Sequence, residues 1–155
     1  MGRPEAVTAD WIKPGATTSQ VTISMDWAPT FLAMAGAQAD PAYALDGMDL
    51  MPVLTRNAPP VSRKLFWRYR YNQQRAMLDG AMKWLKINEN EFLFNVETDP
   101  LERANLKDRE PAIFARLRSE YEAWNATMLP EDPQASSEPL GFADQQAERF
   151  GNRRN

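Results

Sequence analysis

The hydrophobic pattern changes period along this chain, and each change predicts an element. In "DWAPTFLAMA", Asp26 to Ala35, the residues Trp27, Phe31, Leu32 and Met34 recur at helical spacing. A helix with a broad apolar face follows, and that face reads as core. Ser24 or Asp26 serves as its cap, Pro29 fits only in the first turn, and Gly36 suits the left-handed position after the last turn. After an Asp46-Gly47 turn, Asp49 caps a short helix through Leu54. From Arg63 the period becomes two. "KLFWRYRY" sets Leu65, Trp67, Tyr69 and Tyr71 on one face and Phe66, Arg68 and Arg70 on the other. Asp79-Gly80 is a hairpin signal, since both turn residues must take positive φ. Past it, Met82 and Trp84 face one way and Leu85 and Ile87 the other. Four strands result, about Lys64–Arg70, Gln74–Leu78, Ala81–Ile87 and Phe92–Val96, in an antiparallel meander.

The exit from the last strand is "NVETDPLERANLKD". Asp99-Pro100 stops the ladder, because proline cannot donate to it. Leu101 to Ala104 is expected to form one helical turn, and Asp108 to cap a long helix with Pro111 in its first turn. In that helix Phe114, Leu117, Tyr121, Trp124 and Met128 make one stripe, which must dock on the sheet. Earlier, Val7 lies in a strand-like piece ended by Pro14-Gly15, and "TRNAPPVS" is a linker without period. The organisation read from this is residues 1–60, a strand-helix piece plus linker; 61–129, an α+β unit of four antiparallel strands with a packed C-terminal helix; and 130–155, a polar, proline-bearing tail expected to be flexible.

Composition narrows the function classes. Apolar residues make up 43% and charged residues 25% of 155, ordinary for one modest globular core. The net charge of −3 points to no nucleic acid partner, and no apolar run approaches the roughly 18 residues needed to cross a membrane. The opening residues lack the apolar segment of a signal peptide. Neither Cys nor His occurs, which removes thiolate nucleophiles, the commonest metal ligand and the commonest general base. Compartment is not readable from zero Cys.

The segments "IKPG", "SMDWAPTFLAMAGA", "LDGMDLMPVL", "RKLFWRYRYNQQRAMLDGAMKWLKI" and "FLFNVETDPLERANLKDREP", in this order, resemble the C-terminal part of sulfatases of the arylsulfatase type, in the alkaline phosphatase superfamily. The resemblance runs from about Trp11 to Met128. It implies a small C-terminal subdomain of four antiparallel strands and a helix, preceded by the last strand and helix of a large α/β domain. It also implies sulfate ester hydrolysis in the intact enzyme. There a formylglycine, made from Cys or Ser in a C-x-P-S-R-like motif, supplies the nucleophile, and a calcium ion is held by Asp and Asn. This chain has no C-x-P-S-R or S-x-P-S-R motif and no matching Asp-Asn pair, so it carries no catalytic and no metal residue of the family, and no cofactor is assigned to it. The implied partner is a missing N-terminal sulfatase domain.

Within the chain, Trp67, Arg68, Tyr69, Gln74 and Arg75 are the candidates for one edge of a substrate pocket, since the resemblance sets the small subdomain beside the pocket mouth. The plainer alternative makes the aromatic face core and the arginines solvated strand positions. Asp46, Asp49, Asp99 and Glu102 suggest an acidic metal cluster, but they sit at turns and helix starts where carboxylates cap N–H groups. Lys83 and Lys86 read as exposed strand positions rather than as an anion site. The expectation is a structural and pocket-rim portion of a sulfatase, inactive alone. A free-standing interaction module derived from one is the rival.

Overall fold

A computed structural model describes residue 12 and residues 14–55 and 58–131. The strand-like piece at Val7, Trp11 and the tail beyond residue 131 lie outside the described residues. The chain divides into two compact units, Met1–Ser62 and Arg63–Asn155.

In the first unit, a 3-10 turn at Ser24–Asp26 leads into α1, Trp27–Met34, and a short α2 spans Met51–Thr55. α1 ends as its glycine predicts. Gly36 takes φ +66°, its N–H donates to Ala33, and the Ala37 N–H donates to Leu32, the paired bonds of a Schellman motif. The face expected to be core is not. Trp27 is 47% and Phe31 59% exposed, their rings stacked at 5.7 Å, while Leu32 and Met34 are half-buried. The fully buried positions are polar, Asp26 and Thr30. Asp26 does not cap α1 by its side chain. Its two carboxylate oxygens accept the N–H groups of Ile23 and Met48, both at 2.9 Å. The Thr30 hydroxyl donates to the Asp26 carbonyl at 2.6 Å and accepts the Leu50 N–H at 2.9 Å. These bonds tie the segment before α2 onto α1. Gly47 is required there, because a Cβ would lie 2.0 Å from the Met25 carbonyl oxygen. Asp49 does cap α2, accepting the Met51 N–H. The Gln20 amide closes the unit by exchanging two hydrogen bonds with the backbone of Val61.

The second unit is a four-stranded antiparallel sheet in chain order: β1 Lys64–Tyr69, β2 Gln74–Asp79, β3 Met82–Ile87 and β4 Asn90–Asn95. Register moves the expected hairpin turn by one residue. Asp79 pairs with Met82, so the two-residue loop is Gly80-Ala81, and only Gly80 takes positive φ. β4 begins earlier than expected because Ile87 pairs with Asn90 around an Asn88-Glu89 loop, with Asn88 at φ 50°. The β1–β2 loop holds Asn72 and Gln73 at positive φ, and the Asn88 N–H donates to the Asn72 carbonyl, which fastens these two loops at the same end of the sheet.

The expected helical turn after β4 is instead a set of side-chain-stitched turns. Asn95 Oδ1 accepts from Glu97 and Thr98 N–H, and Asp99 Oδ2 accepts from Arg103 and Ala104 N–H. Asn105 Oδ1 accepts the Leu93 N–H while the Leu106 N–H donates to the Leu93 carbonyl, so this segment covers part of the β4 edge. α3 then runs Pro111–Ala126. Its N-cap is Glu110, not Asp108, and no side chain bonds there, while Pro111 takes the first helical position. α3 lays Ile113, Phe114, Leu117, Tyr121 and Trp124 against Phe66, Met77, Met82, Trp84 and Leu93. Met128 lies past the helix end and is exposed. The sheet face away from α3 carries a second cluster of Ala76, Leu85, Ile87 and Phe94, and Leu65 is buried on that face too.

Candidate functional site

Strand alternation decides where the five candidate rim residues stand. Phe66 pairs with Met77 on the helix side, so two residues along the same face carries the Arg68–Arg75 pair. Trp67, Tyr69 and Gln74 fall on the other face, where Trp67 pairs with Ala76 and Tyr69 with Gln74. The sheet therefore gathers the five at one end but splits them between two faces. Trp67 is 37% and Tyr69 52% exposed, so neither ring is core. A period-two reading of β1 separates the faces correctly but cannot say how far along a strand the cover extends.

On the helix side the two arginines converge on Glu131, which follows α3. Arg75 Nη2 lies 2.7 Å from Glu131 Oε1, and Arg68 approaches the same oxygen with Nε and Nη2, each at 3.4 Å. Arg68 Nη1 donates to the Leu129 carbonyl at 3.0 Å. Arg75 Nη1 donates to the carbonyls of Tyr69 and Gln74, which holds its guanidinium in place. Beneath lies an aromatic group: Trp84 on Tyr121 at 4.8 Å, Tyr121 on Trp124 at 5.5 Å, and Trp124 stacked on Phe66 at 4.9 Å. Tyr121 is 3% exposed, and its hydroxyl has no hydrogen-bond partner among the described residues. Burial pushes this phenol above its ordinary value, against the pull of Arg75 and Arg68, and Glu131 adds to the rise. Nothing local in the sequence links Glu131 to strands some sixty positions away, so this constellation was not foreseeable from spacing.

Four of the remaining charged candidates, Asp49, Lys83, Asp99 and Glu102, have partners. Lys83 is not an exposed strand lysine: it is half-buried and pairs with Glu102 at 2.7 Å, so Glu102 is an ion-pair partner and not a cap. Asp99 and Asp49 cap backbone N–H groups. Among the described residues no group of three or more His, Cys, Asp and Glu side chains is placed to hold a metal ion. An open pocket of about 430 Å³ lies beside the start of α3, lined by Glu89, Glu91, Lys107, Asp108, Phe114 and Arg118 among others. Its mixed charges and single aromatic wall define no reacting group. No helix of the described residues is long and apolar enough to cross a membrane.

No family model and no curated protein matches the chain. Solved structures do. The Psi-CgsB structure is 27% identical with TM-score 0.57, covering 68% of this chain and 24% of its own. BT4656, in complex with its substrate D-glucosamine-2-N,6-O-disulfate, is 21% identical with TM-score 0.61, covering 76% and 26%. The putative sulfatase yidJ from Bacteroides fragilis is 19% identical with TM-score 0.58, covering 76% and 27%. This chain thus spans about a quarter of the length of the structures it matches. In fold, the chain is a sulfatase-like C-terminal portion.

Proposed function

We propose that this chain works as the C-terminal structural portion of a sulfatase, completing the fold of a larger enzyme and contributing to the rim of its pocket. The observation that carries the reading is the mismatch of lengths: its structural neighbours place this fold on about a quarter of their chains. The sequence supports it, since neither a formylglycine motif nor His nor Cys is present. On this reading the nucleophile, the calcium and the general acid belong to an N-terminal portion. This portion offers the exposed rings of Trp67 and Tyr69, with Gln74 beside Tyr69, as a polar-aromatic edge suited to a sugar ring. BT4656 is described with a sulfated glucosamine, and Psi-CgsB with a neocarrahexaose, which supports a saccharide sulfate ester as the substrate class.

The test begins with the DNA upstream of Met1. It is expected to encode, in frame or after one frameshift, a C-x-P-S-R or S-x-P-S-R motif and Asp-Asn metal residues. Co-production of that segment with this chain, with formylglycine installed, should release sulfate from a sulfated saccharide, while this chain alone releases none. Turnover by the purified chain alone would overturn the proposal. Absence of such an upstream sequence would favour the interaction-module reading instead.

A further inference from the structure

α1 closes on Gly36 with the paired bonds of a Schellman motif, and α3 has no such ending. The C-cap of α3 is Thr127, in the right-handed conformation, and no residue from Thr127 to Glu131 takes positive φ. Its last turn holds no basic side chain to meet the orphan carbonyls and the negative end of the helix dipole. The closure that the chain supplies there is local. Thr127 N–H donates to Trp124 at 3.0 Å, Met128 N–H to Asn125 at 3.2 Å, and the Thr127 hydroxyl to the Trp124 carbonyl at 2.7 Å. The basic side chains come from the sheet instead. Arg68 and Arg75 pair across β1 and β2 two residues beyond Phe66 and Met77, so they stand past the place where Trp124 stacks on Phe66. Arg68 Nη1 donates to the Leu129 carbonyl at 3.0 Å, and Arg75 Nη2 reaches Glu131 at 2.7 Å. Arg75 is preset for this contact, since the carbonyls of Tyr69 and Gln74 hold its Nη1. The arginine side chains are 20% and 16% exposed and that of Glu131 35%, so dissolved salt reaches these charges and screens them. A closure built from partly exposed charges is weak, and it opens before the body of α3, where Leu117 is fully buried.

We propose that Arg68 and Arg75 cap α3 from the sheet, and that residues 127–131 form a strap, latched through Glu131, which salt releases while the rest of α3 stays docked. Every group in this device belongs to the second unit, so the inference stands whether or not the pocket-rim reading does. The consequence is positional. With the latch closed, Glu131 is fixed at the β1–β2 end of the sheet, the end that carries Trp67 and Tyr69 on its other face. With the latch open, the strap is tied to the sheet only through α3.

The test is amide hydrogen exchange, followed by NMR on the full 155-residue chain in about 0.1 M and about 1 M NaCl, between which the Debye length falls from about 10 Å to about 3 Å. Rates are read as protection relative to the unfolded chain at the same salt. The bonded amides of Thr127 and Met128 report the strap, and the amide of Leu117 reports the body of α3. In the wild type, Thr127 and Met128 should lose about two- to fivefold in protection at high salt, the range expected of a partly exposed ion pair, while Leu117 keeps its own. Glu131→Gln should show that loss already at low salt, with no further response to salt, and Arg75→Gln should match it. Lys83→Gln, which removes the separate Lys83–Glu102 pair, should leave the strap as in the wild type. Strap amides unprotected in the wild type at low salt, protection that salt does not lower, or a salt response that survives Glu131→Gln would each overturn the proposal. So would Leu117 losing protection in step with the strap, or Lys83→Gln acting on the strap as strongly as Glu131→Gln.

Discussion

Removing the Tyr121 hydroxyl should stabilise the second unit, against the usual direction for a buried tyrosine. The side chain is 3% exposed, and its ring packs on Trp84 at 4.8 Å and on Trp124 at 5.5 Å. Tyr121→Phe keeps both ring contacts and deletes only an O–H that has no partner among the described residues. A bonded buried hydroxyl is worth about 0.5–1.5 kcal/mol, so its loss normally destabilises. An unbonded one costs about 1–3 kcal/mol of lost hydration, so its loss should return about 1 kcal/mol. For a unit of ~60–100 residues that is roughly 4–8 °C in Tm. Urea unfolding followed by tryptophan fluorescence should show a higher midpoint with an unchanged slope, because the area exposed on unfolding is the same. The alkaline limb gives an independent check. The folded phenol is raised above 10.0, so it stays neutral in the fold at a pH where the unfolded chain ionises it. Its contribution is complete below the unfolded value and is lost as pH rises from 10.0 through the folded value; Tyr121→Phe should lack that loss. A decrease in stability of more than about 0.5 kcal/mol at neutral pH would refute the reasoning, because the hydroxyl would then have a bonded partner.

Other perturbations follow from burial and charge. Leu117→Ala empties a fully buried position between α3 and the sheet and should cost about 2.7–5 kcal/mol in chemical unfolding. Gly47→Ala places a methyl group 2.0 Å from the Met25 carbonyl oxygen, so hydrogen exchange across residues 23–50 should accelerate, with a loss of about 1–3 kcal/mol or more. Glu120 is held below its ordinary value of 4.5, chiefly by its hydrogen bond from Lys64 and then by that from Arg116. A depressed carboxyl stabilises above its unfolded value and loses that contribution as pH falls through the folded one. Glu120→Gln should therefore lie about 0.2–1 kcal/mol below wild type at pH 7 and converge with it once the pH is well under 4.5.

How much was legible in the sequence depended on which force placed each residue. The four-strand meander was legible because period-two patterning and turn residues act locally. The turn was misplaced by one residue because Asp79 joins the ladder opposite Met82 and leaves positive φ to Gly80 alone. The α3 stripe was legible down to Leu117, Tyr121 and Trp124, since amphipathic spacing and docking agree there. Its cap was not, because Glu110 occupies the cap position without a side-chain bond, while Asp108 merely resembles a capping residue. Periodicity failed at α1. It counts apolar residues without knowing what they meet, and it overlooked Asp26 and Thr30, whose burial rests on hydrogen bonds to Ile23, Met48 and Leu50. An Asp followed four residues later by Thr at a helix start was the available signal. The convergence of Arg68 and Arg75 on Glu131 had none, since only the register of β1 with β2 and the length of α3 bring them together.

The inversion at α1 has an energetic consequence for the first unit. Among its described residues the buried apolar side chains are Leu50 and Val53, whereas Met25, Trp27, Phe31, Tyr43 and Leu45 are exposed. A unit of about 60 residues is marginal even with a well-formed core. Here the interior is held by backbone-to-side-chain hydrogen bonds, each contributing about 1 kcal/mol net, and the large rings point outward. Fully burying a large apolar side chain yields roughly 1.5–3 kcal/mol, so covering the exposed half of Trp27 and of Phe31 would return about 2 kcal/mol together. A segment that covered those rings would bind the folded unit and not the unfolded one, and would stabilise the unit by mass action. Polar residues that lock the helix from within and aromatic residues left stacked outside are the arrangement expected of an element whose apolar partner is supplied by other chain, which is the relation the proposed N-terminal portion would provide.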